Sequence, residues 1–169
     1  MTEALEPIIP DRVEALVAEV LETACRRDLQ LATAESCTGG LLASLLTDVP
    51  GCSHAFERGF VTYTDAAKHE LLGVPLDLLA DHGPVSEEAA RAMAEGALAR
   101  SSADVAMSVT GWAEAGPGPG DHAGLVWFGC VRRGRSTVAR RTRFGDVGRA
   151  QVRLRCLEVA LEMMRTALD

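Results

Sequence analysis

The 169-residue chain is 47% hydrophobic and 24% charged, which excludes collagen-like and disordered classes and predicts one domain over residues 1–169 with a packed core. A formal net charge of -7 argues against nucleic acid and anionic membranes as partners, and no run of about 18 uncharged apolar residues marks a membrane span. The acidic start, Met1 to Pro7, has no apolar signal region; the five cysteines are odd in number and lack C-x-x-C spacing, so a cytoplasmic protein without a disulfide framework or zinc knuckle is expected.

From Asp11 to Arg27, Val13, Leu16, Val17, Val20, Leu21 and Ala24 recur at helical spacing, with Asp11 as the expected N-cap. Leu29 to Ala34 reads as a short strand and Leu41 to Leu46 as a helix, so Glu35-Ser36-Cys37-Thr38-Gly39-Gly40 falls at a strand-to-helix turn. Phe56 to Tyr63 carries aromatic and β-branched residues suited to a strand. Thr64 or Asp65 then caps a helix to about Leu72, Pro75 opens a short one over Leu76 to Ala80, and Ser86 caps a long one to about Arg100. Asp104 to Val109 is a buried-type strand, and Thr110 to Ala123, rich in Gly and Pro, reads as a loop.

Gly124 to Val131 and Thr137 to Phe144 flank a short turn and form a hairpin, and a final helix runs from about Val147 to Leu168. Six arginines between Arg132 and Arg143 lie on this hairpin. A solvated strand face and a phosphate-tracking patch are their two readings. Alternating strands and helices that end in a hairpin predict an α/β three-layer sandwich, a mixed β-sheet covered by helices on both faces. The apolar first and last helices make a homo-oligomer an expectation.

Of 17 basic residues, Lys68 is the one lysine, and Tyr63 is the one tyrosine. An arginine keeps its proton, whereas a desolvated lysine loses it and serves as a base. A nearby ammonium favours an ionised phenol, so Tyr63 and Lys68 form a pair able to share a proton. A codon-driven arginine bias and a solvated helical lysine are the competing account. Ser36 is the candidate nucleophile: a hydroxyl at a helix entrance, with Gly39 and Gly40 behind it, lies near backbone N–H groups able to hold an oxyanion. An ordinary N-cap and turn explain the same residues. Cys37 is the rival nucleophile, or core filler. His54, His69, His82 and His122 lack metal-ligand spacing, so no metal is expected.

Six segments in register carry a resemblance: Ala34-Glu35-Ser36-Cys37-Thr38-Gly39-Gly40; Leu46-Thr47-Asp48-Val49-Pro50-Gly51; Phe60-Val61-Thr62-Tyr63 with Ala67-Lys68; Leu72-Gly73-Val74; His82-Gly83-Pro84-Val85-Ser86; and Val109-Thr110-Gly111. Over roughly residues 12 to 165 the chain resembles the CinA C-terminal domain family. The resemblance implies hydrolysis of nicotinamide mononucleotide to nicotinate mononucleotide and ammonia, a pyridine nucleotide as the small-molecule partner, and no metal or organic cofactor. It implies Ser36 as nucleophile with Tyr63 and Lys68 as its base. Backbone N–H groups of Cys37 to Gly40 are expected at the oxyanion. Thr38, Gly39, Gly40, Thr110 and Gly111 are expected at substrate, with Arg149 or Arg153 on its phosphate. The family's frequent N-terminal partner domain, and the pyrophosphatase function attached to it, are not expected. One segment departs from the family pattern. Where Thr-Gly-Ile-Ala-Gly-Pro is usual, this chain reads Thr110-Gly111-Trp112-Ala113-Glu114-Ala115-Gly116-Pro117, which puts an indole in the pocket and a carboxylate near the phosphate. A nucleotide-binding or partner-binding module of the same fold, without turnover, is therefore the alternative function.

Overall fold

A computed structural model describes residues 9–169. The reading of an acidic N-terminus over Met1 to Pro7 lies outside them. Five strands form one mixed sheet: β1 (Leu31–Glu35), β2 (Phe56–Val61), β3 (Val105–Gly111), β4 (Leu125–Arg132) and β5 (Val138–Arg143). Their order is β2-β1-β3-β4-β5, with β2, β1 and β3 parallel and the β4–β5 hairpin antiparallel.

Two cores lie on opposite faces. On one, α1 (Asp11–Arg26), α2 (Leu41–Leu45) and α6 (Arg149–Leu168) cover Leu31, Met107, Val109 and Phe128. On the other, α3 (Asp65–Leu72), α4 (Leu76–His82) and α5 (Glu87–Ala99) cover Ala32, Ala34, Ala106 and Val131. Successive residues of a strand point to opposite faces, so β1, buried throughout, and β3, buried from Val105 to Thr110, feed both cores. The α/β three-layer sandwich expected from the sequence is the observed architecture.

Some boundaries differ for local physical reasons. Asp11 is the first residue of α1, not its cap; Pro10, held at φ -60 with ψ 139, is the N-cap and provides no side-chain bond. Thr110 and Gly111 belong to β3 rather than to a loop, because Thr110 pairs with Trp127 and Gly111 with Val126 of β4. The last helix begins at Arg149, after Gly148 at φ 87. Of the two caps offered for α3, Thr64 is the one used and Asp65 is the first helical residue; Ser86 caps α5 as read, and each hydroxyl accepts from the amide three residues on at 3.1 Å.

Close approach sets the height of α5 over the sheet. A Cβ at Gly129 of β4 would collide with the Ala90 carbonyl of α5, and one at Gly96 with the Leu72 carbonyl of α3. The apolar stripe of α1 and that of α6 face inward: Val13, Leu16, Val17, Val20, Leu21, Val152, Leu157, Ala160, Leu161 and Met164 are all buried within the chain. The apolar stripes on which the homo-oligomer expectation rested pack within the chain.

The arginine-rich hairpin is largely engaged with the rest of the chain. Arg132 donates to the Ala167 carbonyl at 3.0 Å, Arg133 to the Ala103 carbonyl at 2.7 Å, and Arg140 meets Glu162 at 3.4 Å. The Arg141 guanidinium lies 5.8 Å from the centre of the Trp127 ring. These contacts favour the structural reading of the cluster over a phosphate-tracking patch. None of the described helices is long and apolar enough to cross a membrane.

Candidate active site

The chain leaves β1 towards β2 on one side by way of α2, and reaches β3 on the other side by way of α3 to α5. A crevice opens at such a switch, beyond the carboxyl ends of β1 and β3. Ser36 follows β1 there, its N–H donating to the Val109 carbonyl at 2.9 Å, and Thr110 and Gly111 end β3 beside it. The resulting cavity, of about 370 Å³, is lined by Ser36, Tyr63, Lys68, Thr110, Gly111, Arg149 and the segment from Trp112 to Pro117.

Lys68 enters from α3, on the opposite face from α2. Its side chain is 1% exposed and ranks first by size among the fully buried ones. Its Nζ lies 3.3 Å from Ser36 Oγ and donates to the Thr62 carbonyl at 3.2 Å. Among the described residues no carboxylate lies within ion-pair distance of it, so burial is not offset by a salt bridge. Desolvation lowers the amine's pKa from the ordinary lysine value, against smaller opposing effects of Asp65 and Cys37. At this separation an ammonium donates to the hydroxyl, and a neutral amine accepts from it.

Tyr63 lines the same cavity but stands at its rim, 61% exposed. No hydrogen bond joins it to Lys68 or Ser36, so the proton sharing expected of Tyr63 and Lys68 is absent from this geometry. Its neighbour is Arg149, whose charged form is favoured by Glu114 first and then by the Tyr63 phenol. The amine alone reaches the hydroxyl.

The turn carrying Ser36 is held by a residue to which the sequence pattern assigned nothing. Glu35, fully buried, accepts from Gly40 N–H at 3.1 Å, Leu42 N–H at 3.0 Å and Ala43 N–H at 2.8 Å. A carboxylate at the start of a helix satisfies amides that have no intrahelical partner. Only its place immediately before Ser36, at the helix entrance, hinted at this. Gly40, at φ 93, makes the turn that aims these amides back.

This bond pattern revises the expected oxyanion donors. Gly40 N–H is bound to Glu35, and Gly39 N–H to the Ser36 carbonyl at 3.1 Å. Among the described residues, the N–H groups of Cys37 and Thr38 donate to no protein acceptor. Cys37 itself is 6% exposed; it packs into the core beneath α2 and α6 and also borders the cavity beside Ser36.

The remaining expected substrate residues divide. Thr110, Gly111 and Arg149 line the cavity, whereas Thr38, Gly39, Gly40 and Arg153 do not. The Thr38 hydroxyl is buried without a partner, and the Thr110 hydroxyl donates to the Pro84 carbonyl at 2.6 Å. Arg149 and Arg153 lie on one face of α6, a turn apart, and that rise of about 6 Å separates their partners. Arg153 donates to the Thr38 carbonyl at 3.0 Å and braces the Ser36 turn; Arg149 faces the cavity and pairs with Glu114 at 3.0 Å.

Trp112 lines the cavity but folds into its own loop, where a Cβ at Gly116 would lie 2.8 Å from the indole. The loop is closed by Asp121, whose carbonyl accepts from Gly116 N–H at 2.8 Å and whose carboxylate accepts from Gly118 N–H at 2.7 Å.

Comparison with known proteins places this arrangement in a family. The CinA C-terminal domain profile matches residues 13–168. The chain is 48% identical over 165 residues to a CinA-like protein of Mycobacterium sp. (strain MCS), covering 96% of this chain but 36% of that protein's length. It is 47% identical over 137 residues to the nicotinamide-nucleotide amidohydrolase PncC of Enterobacter agglomerans, covering 80% of each. Among solved structures it is similar to the competence/damage inducible protein CihA from Agrobacterium tumefaciens. There the TM-score is 0.93 and the identity 39%, over 96% of this chain and 99% of that one. The chain belongs to the CinA C-terminal domain family.

Proposed function

We propose that the chain hydrolyses the carboxamide of nicotinamide mononucleotide, giving nicotinate mononucleotide and ammonia, with Ser36 as nucleophile and Lys68 as its base. The observation that carries the reading is a desolvated, unpaired amine 3.3 Å from a serine hydroxyl at the floor of a cavity. A hydroxyl is a weak nucleophile until a base within hydrogen-bond reach accepts its proton, and burial readies Lys68 for that task. The name of the Enterobacter agglomerans relative supports the substrate class.

In this mechanism Ser36 Oγ attacks the amide carbon while its proton passes to Lys68 Nζ. The free N–H groups of Cys37 and Thr38 lie on the adjacent backbone and hold the tetrahedral oxyanion. The C–N bond breaks as the Lys68 ammonium returns the proton to the nitrogen, releasing ammonia and leaving an acyl-serine. Water, deprotonated by the neutral amine, cleaves that ester, and the proton goes back to Ser36. Tyr63, at the rim, contacts the bound nucleotide rather than taking the serine proton. The five free cysteines agree with a reducing cytoplasm as the setting.

The test is ammonia release from nicotinamide mononucleotide by the purified protein. Ser36→Ala should lower the rate at least about a thousandfold while the protein stays folded, its far-UV circular dichroism unchanged. Turnover that survives Ser36→Ala rejects the mechanism. The altered loop from Trp112 to Pro117, which lines the cavity, motivates one alternative, a nucleotide-binding or partner-binding module without catalysis; ligand-induced thermal stabilisation with no ammonia would identify it.

A further inference from the structure

The charged side chains on the cavity wall are Asp65, Lys68, Glu114 and Arg149, two of each sign. Lys68 is committed to Ser36 and the Thr62 carbonyl. Among the described residues, Arg149 is thus the one cation on the wall left to receive an anionic group of a substrate. That guanidinium already holds a carboxylate, with Glu114 Oε1 3.0 Å from its Nε. The two side chains are 47% and 64% exposed, so the pair is open to exchange with solvent and solutes.

We infer that Glu114 is an internal competitor for the anion subsite: its carboxylate occupies Arg149 in the free protein, and a substrate phosphate binds by displacing it. The inference rests on the proposed function for its substrate, but Glu114 has no part in the bond-making steps. Three features support exchange rather than permanent pairing. Glu114 lies on the loop between β3 and β4, whereas Arg149 is anchored in the first turn of α6. The loop is held by Ala113, buried in the core, and by Asp121 through Gly116 and Gly118, and between these holds the Glu114 side chain projects outward. A phosphate bears more charge than a carboxylate and meets a guanidinium with two parallel hydrogen bonds, so it wins this contest when the rest of the substrate fills the cavity.

The consequence is specificity by charge. A nucleoside amide without a phosphate leaves the Glu114–Arg149 pair in place, while a phosphorylated one must first release it. Glu114→Gln keeps the shape and removes the competitor. KM for nicotinamide mononucleotide should fall about fivefold, the upper range for an exposed pair, with kcat unchanged. KM for the corresponding unphosphorylated riboside should change less than about twofold, and about 0.5 M salt should shrink the nucleotide effect.

A second measurement needs no turnover. Ribose 5-phosphate should stabilise Glu114→Gln against heat at lower concentration than it does the parent protein, and ribose should stabilise neither differently. Equal ribose 5-phosphate titrations in the two proteins, or a KM change shared by nucleotide and riboside, would overturn the inference. Absence of ammonia from every protein and substrate, with the ribose 5-phosphate difference intact, would refute the proposed reaction and leave the competitor standing.

Discussion

Replacing Lys68 by Met tests the site through stability as well as rate. The thioether chain fills nearly the same volume and removes the amine from a position that is 1% exposed. Two hydrogen bonds are lost, to Ser36 Oγ and to the Thr62 carbonyl, together worth about 1–3 kcal/mol. Against that loss stands the cost of burying charge. Desolvation lowers the folded-state pKa below the 10.5 of a free lysine, so between those two values the unfolded chain binds more protons than the folded one. The parent protein therefore gains stability as pH rises through that window and carries the full charge-burial cost below it. Each unit of the window is worth about 1.4 kcal/mol.

Lys68→Met has no such dependence. It should compare best with the parent at acid pH and worst near pH 10.5, where the parent amine is neutral and keeps both bonds. Urea unfolding of both proteins at steps between about pH 6 and about pH 10.5 measures the difference directly. Ammonia release by the parent should rise over the same pH range as its unfolding free energy, and the variant should release none. Stability curves that run parallel across the range would refute the claim that Lys68 is a desolvated, unpaired base.

Glu35→Gln leaves one acceptor oxygen where a carboxylate bound three amides, and sets an NH2 group against one of them. It should cost about 2–4 kcal/mol, lower the melting temperature by roughly 5–15 °C in calorimetry and reduce kcat, because the Ser36 turn loses its anchor. Arg153→Met removes the brace on the Thr38 carbonyl without touching the cavity wall; steady-state kinetics should show kcat down about tenfold with KM for the nucleotide within about twofold. A rise in KM alone would instead make Arg153 the phosphate ligand.

Much of the scaffold was readable before any coordinates, because its signals are local. The stripe from Val13 to Ala24, the caps Thr64 and Ser86, and the turn of the hairpin each depend on residues a few positions apart, and each was read with small errors at the ends. The errors have a common source. Thr110 and Gly111 look like loop residues by composition, yet pairing with Trp127 and Val126 holds them in β3, and nothing nearby in sequence records that pairing.

The sequence by itself determined the order and type of the elements, and its single lysine and single tyrosine drew attention to two positions. Only the tertiary structure decided what those groups do to one another. Ser36 and Lys68 are 32 positions apart, on segments that reach the crevice from opposite faces of the sheet, so their 3.3 Å separation follows from how α3 packs on α5, which itself lies against β1. The same holds for the withdrawal of Tyr63 to the rim, for the three amides gathered by Glu35, and for the division of labour between Arg149 and Arg153. Burial and hydrogen-bond partners arise from contacts between distant segments, and a residue's charge state follows from both.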